Sequence, residues 1–106
     1  MQFTVKITRR ANSDLRDIRD WLHERSPAGA KSWLAVARAT IARLENSPRR
    51  HSLAPENEYS SREIRNAFFK TRRGQIYRAV FYIEEETVFV THIRGPRQKP
   101  LDEGGV

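Results

Sequence analysis

The sequence predicts an α+β domain of two layers in the order β-α-α-β-β-β, with a helical hairpin packed on one face of an antiparallel sheet. Three observations carry this reading. Residues 2–8 alternate with a period of two, residues 11–44 repeat at helical spacing, and three alternating runs follow residue 62. The chain has 106 residues, which at about 100–200 residues per domain is one domain. Residues 1–99 are assigned to it and residues 100–106 to a flexible C-terminal tail, because QKPLDEGGV carries no pattern.

In the opening run QFTVKIT, Phe3, Val5 and Ile7 share one face while Gln2, Thr4, Lys6 and Thr8 share the other, as in a half-buried strand. Ala11, Leu15, Ile18 and Leu22 then form one helical stripe. That helix stops near Arg25, because the residue before Pro27 is pushed out of the helical region. Ser26-Pro27 also starts the next helix, with serine as cap and proline at the first position. Its stripe is Ala30, Leu34, Ala37, Ile41 and Leu44, and Asn46-Ser47-Pro48 ends it. Helices joined by so short a turn fold back on each other. Trp21 and Trp33 flank the stripes and are assigned to the core. Residues 49–61 have no period and form a loop. REIRNAFF, IYRAVFYI and TVFVTHIR follow as strands joined by tight turns, hence as antiparallel hairpins. The face away from the helices can stay open to water.

The charge is strongly basic, with 20 Lys+Arg against 13 Asp+Glu and a net charge of +7. Anionic partners are expected: RNA, DNA or an acidic protein. Without cysteine there is no disulfide, thiolate nucleophile or cysteine-based metal site. The three histidines lack ligand spacing, so no metal and no cofactor are expected. The start has no signal-peptide pattern, and no stretch of about 18 apolar residues occurs, so the expectation is a cytoplasmic protein with no membrane partner.

The basic excess concentrates in the strands. Residues 62–83 hold Arg62, Arg65, Lys70, Arg72, Arg73 and Arg78 with Glu63 as the one acid, and Arg94, Arg97 and Lys99 follow. Arg78 lies mid-strand, where a charge is rarely buried unpaired. Either it meets a carboxylate, Glu63 or one of Glu84–Glu86, or it joins Arg65, His92 and Arg94 on the open face. Guanidinium groups there would grip a phosphodiester in bidentate fashion and neutralise charge growing in its transition state. His92 is the histidine placed in a strand, hence the readiest proton-transfer group or else a strand histidine with no role.

These residues resemble the RelE/ParE superfamily of type II toxins over about residues 2–99. The carriers are FTVKIT, ANSDLRDIRDWLHERSP, a helix closing in LENSP, EIRNAFF, IYRAVFYI and VFVTHIRGPR. The resemblance implies a toxin with a cognate antitoxin, acidic and partly disordered when free. RelE-like members are metal-independent endoribonucleases that cut mRNA on the ribosome through attack of the 2′-hydroxyl. ParE-like members share the fold and poison DNA gyrase. Arg65, Arg78 and Arg97 fall on the basic positions of the RelE-like pattern. Glu63 stands where one such pattern has a lysine, and the C-terminal aromatic is missing.

The expectation on the charge argument is the ribosome-dependent nuclease. Arg65, Arg78 and Arg97 would hold the scissile phosphate and His92 would move the proton, with Glu63 as a possible base. Lys70, Arg72, Arg73 and Arg94 would contact nucleic acid. The alternative is a ParE-like gyrase inhibitor without nuclease activity, and an inert member that only sequesters an antitoxin is a third reading.

Overall fold

The computed structural model describes residues 2–59 and 61–96. Strand β1 (Thr4–Ile7) leads into helices α1 (Arg9–His23) and α2 (Pro27–Ala42). Three short 3-10 turns follow, at Arg43–Glu45, Pro48–Arg50 and Pro55–Tyr59. Strands β2 (Ile64–Phe69), β3 (Tyr77–Glu84) and β4 (Thr87–Arg94) complete the chain. The helices lie on one face of a four-stranded sheet, as the periodicity predicts.

Both helices start at side-chain caps. The Thr8 hydroxyl accepts from Ala11 N at 3.2 Å, and the Ser26 hydroxyl accepts from Gly29 N at 3.0 Å with Pro27 at the first position. Each such cap satisfies an amide that the helix cannot, and is worth about 1 kcal/mol.

The strands are ordered β1-β4-β3-β2. The two pairs joined by short turns are antiparallel, but β1 pairs with β4 in parallel, so the sheet is mixed rather than antiparallel throughout. The physical reason is connectivity. A tight turn dictates antiparallel pairing only between consecutive strands. The first and last strands are not consecutive, and the helical hairpin separates β1 from the rest.

The core lies between helices and sheet. Ala11, Leu15, Trp33, Ala37, Ile41 and Leu44 meet Ala67, Phe69, Ala79, Phe81, Val88, Val90 and Ile93. Ala67 and Ala79 face each other across β2 and β3, both fully buried, and these small residues let the helices approach closely. Trp33 packs on Phe69 and Tyr77, with ring centroids at 5.8 and 5.3 Å. Trp21 departs from its core assignment. It is 50% exposed, at the edge of its stripe, and the Arg25 guanidinium lies 3.7 Å from its ring centroid.

A register shift shapes the other face. Val80 pairs with His92 and Phe81 with Val90, so Thr91 is the extra residue of a bulge. Without it, His92 would follow Val90 toward the helices. With it, Ile93 joins the helix-side core, and His92 and Arg94 turn to the opposite face beside Val80 and Arg78. Beyond the end of β1, Thr8 N and Oγ1 donate to the Val90 and Thr91 carbonyls, and the Asp14 carboxylate accepts from Ile93 N at 3.0 Å. These bonds cover the exposed edge of β4.

That opposite face is partly covered, contrary to the expectation of an open one. Residues 52–54 run along the edge of β2, with Asn66 N donating to the Ser52 carbonyl and Ala54 N to the Ile64 carbonyl. Ala54 then packs with Ile64, Val80 and Tyr82 into a second, smaller cluster. The stretch lacks a sequence period because its backbone bonds to a sheet edge over only a few residues.

Candidate functional site

The 3-10 turn Pro55–Tyr59 carries Glu56 across the sheet to Arg78. Arg78 Nη1 and Nη2 donate to the two oxygens of the Glu56 carboxylate at 2.8 and 2.6 Å. The Glu56 side chain is completely buried and that of Arg78 is 12% exposed. On this face Arg78 stands opposite Arg94 of β4 and Phe68 of β2. Like charges side by side repel, and the Glu56 carboxylate offsets that repulsion. Burial lowers the pKa of the Arg94 guanidinium from the ordinary arginine value. Asp14 opposes that shift, Arg78 and Arg10 add to it, and Glu56 opposes it more weakly.

His92 is buried two register pairs further along, opposite Val80, and its Nδ1 lies 3.0 Å from the Thr91 hydroxyl. Burial lowers its pKa, and the nearby Arg10 lowers it further. The imidazole is therefore neutral at pH 7.

The face brings together Arg78, His92 and Arg94 of the sequence-predicted site. It does not bring Arg65. Arg65 pairs with Phe81 and so lies on the helix side of the sheet. There its Nη1 donates to the His51 carbonyl at 2.6 Å and its Nη2 to Glu63 at 2.7 Å, which ties down the loop after α2. The expected gathering of guanidinium groups on one open face is thus corrected, because alternation along β2 sends residue 65 the other way. Arg97 lies outside the described residues. Lys70, Arg72 and Arg73 are exposed in the turn between β2 and β3.

Glu56 was missed from sequence. The signal available was indirect, since a mid-strand arginine demands a carboxylate. The acids closest to Arg78 in the chain are Glu63 and Glu84–Glu86, whereas Glu56 is 22 residues away.

A second feature is a groove of about 860 Å³ between the tip of the helical hairpin and the β2–β3 turn. Ile18, Trp21, Leu22, Trp33 and Tyr77 give it an apolar lining, and among the described residues its two arginines, Arg25 and Arg73, outnumber its one acid, Asp17. Trp33 Nε1 is buried there with no acceptor among the described residues. Such a groove takes an amphipathic chain with acidic groups at its margin. Among the described residues no helix is long and apolar enough to cross a membrane.

Two capped helices on a four-stranded mixed sheet agree with the RelE/ParE superfamily of type II toxins, the class in which a family-model match places the chain. Within it, the chain belongs to the ParE toxins of type II toxin–antitoxin systems (parDE), whose family model matches residues 5–100. A system of that kind implies a cognate antitoxin. Among solved structures, the chain is similar to a chain of the chromosomal ParDE toxin–antitoxin system from P. aeruginosa, with a TM-score of 0.66 and 19% identity. The alignment covers 89% of this chain and 96% of the other, and at that identity the likeness is one of fold. No curated protein matches the chain.

Proposed function

We propose that this protein is a ParE-type toxin that arrests growth by inhibiting DNA gyrase and cuts no RNA, and that its antitoxin silences it by docking in the groove beside Trp21. The observation that carries the non-nuclease reading is the occupied guanidinium of Arg78. The Glu56 carboxylate engages both Nη1 and Nη2 and neutralises the guanidinium charge, so Arg78 is held in a buried ion pair instead of being left bare to grip a phosphate. Arg65 stands on the opposite side of the sheet, too far round to join a phosphate on Arg78. His92 is buried, with its Nδ1 against the Thr91 hydroxyl, which does not suit a group that must exchange a proton with a substrate. Membership of the ParE family supports the same reading over the RelE-like one.

The antitoxin segment in this proposal is amphipathic. Its apolar side meets Ile18, Leu22 and Trp33, and its carboxylates meet Arg25 and Arg73. A segment of that kind folds as it binds, and mass action then stabilises the toxin. Induced expression in cells tests the function. The proposal expects DNA-damage signalling and filamentation, with protein synthesis continuing at first. Immediate loss of protein synthesis with intact DNA replication would return the ribosome to first place.

A further inference from the structure

We propose that the small pocket between Arg43 and Arg50, at the far end of α2, is a binding site for a phosphoryl anion. The pocket has a volume of about 230 Å³ and is lined by Arg43, Asn46, Ser47 and Arg50. Two guanidinium groups, a carboxamide and a hydroxyl are all groups that donate to phosphate oxygens. The volume falls below the roughly 300–1,000 Å³ of pockets that enclose whole small molecules, so it suits a head group and its water.

The backbone builds this convergence. Asn46 N donates to the Arg43 carbonyl at 3.1 Å and Arg50 N to the Ser47 carbonyl at 3.2 Å, which makes two successive tight turns. Ser47 joins them in the left-handed region, at φ 49° and ψ 50°, a costly conformation for a residue with a Cβ. Leu44 and Pro48 are buried beneath and pin the turns to the core. Arg49 points elsewhere, its guanidinium 5.3 Å from the Phe3 ring centroid.

Little carboxylate charge offsets these two arginines. Arg10, Arg19, Arg65 and Arg78 each bridge a carboxylate. Among the described residues, neither Arg43 nor Arg50 does. The nearby acids are Glu45, in the first turn, and Glu86, whose carbonyl accepts from Thr4 N at this end of the sheet. Both side chains are exposed. Residues 43–50 hold three arginines against the one glutamate, so the pocket stays cationic. The ligand chemistry is a phosphate mono- or diester, either free or in the backbone of a nucleic acid. The site is separate from the groove and from the Arg78–Glu56 pair, and it stands or falls independently of the gyrase reading.

Titration of the ¹⁵N-labelled protein at constant ionic strength, with chloride as the reference anion, tests this site. The probes are inorganic phosphate and a five-nucleotide thymidine oligonucleotide. The expected result is saturable shifts confined to residues 43–50, with affinity at least tenfold weaker in Arg43→Gln/Arg50→Gln. The charge-matched variant Arg16→Gln/Arg38→Gln, on exposed helix positions, keeps affinity within about twofold. Both variants are expected to keep the wild-type melting temperature in chloride, so any loss is a loss of binding. Oligonucleotide binding more than tenfold tighter than phosphate at this site assigns it to a nucleic-acid strand, and equal affinity assigns it to a free phosphoryl group. Shifts spread over the whole basic surface, or equal losses in the two double variants, would overturn the proposal.

Discussion

Arg78 and Glu56 form a two-pronged ion pair that closes a loop of the chain over the sheet, with the carboxylate fully buried and both its oxygens engaged. The pair fixes Pro55–Tyr59 against the strands and neutralises the arginine that the sequence presents as a phosphate grip. One contact therefore decides both the cover of this face and the chemistry open to it.

Breaking the pair from one side leaves a buried charge without its partner. Glu56→Gln and Arg78→Met are each expected to lower stability by about 3–5 kcal/mol, read from denaturant unfolding. The double substitution Glu56→Leu/Arg78→Met removes both charges and should recover most of that loss. A single-variant cost below about 1 kcal/mol would mean that the pair is not buried in solution.

The same double variant separates a structural arginine from a catalytic one. It should remain toxic on induction wherever it accumulates to the wild-type level, because the proposed activity makes no use of the Arg78 guanidinium. Complete loss of toxicity in a folded double variant would restore a direct role for Arg78.

Stability should fall with acid through the histidines. The folded-state pKa of His92 lies below its unfolded value of about 6.5, chiefly from burial, and that of His51 is lowered by burial, Arg50 and Arg65. Below about pH 6.5 the unfolded chain binds protons that the folded chain refuses, so the stabilising preference for the neutral form is full above that pH and erodes beneath it. In urea unfolding between pH 7 and 5, His92→Gln should flatten the decline relative to wild type. An unchanged slope would show that His92 titrates normally in the fold.

Trp21 is the expected anchor for the antitoxin. Half-exposed aromatic rings beside an arginine are the residues that dominate interface energies. Trp21→Ala should weaken antitoxin binding by about 2 kcal/mol or more in calorimetry while shifting the melting temperature little. Undiminished affinity would place the antitoxin elsewhere.

Most of the architecture was legible because it is local. The stripe Ala11–Leu15–Ile18–Leu22, the Ser26-Pro27 start and the alternation in IYRAVFYI are each set by a few neighbouring residues. What escaped depends on distant partners. The parallel pairing of β1 with β4 joins the two ends of the domain. The bulge at Thr91 shows only as a slip between Val90 and Ile93, which alternation alone would set on opposite faces. The site was less legible for the same reason. Arg78 was found, but its partner sits in a loop without period, and Arg65 was placed with it although β2 alternation puts the two on opposite faces. Charge near in sequence proved a poor guide to charge near in space.

The central claim is most directly tested with the purified protein in two parallel assays: supercoiling by DNA gyrase, and cleavage of mRNA on translating ribosomes. The account predicts loss of supercoiling at stoichiometric toxin, relieved by the antitoxin, with the mRNA intact. Ribosome-dependent cleavage of the mRNA with gyrase unaffected would contradict it.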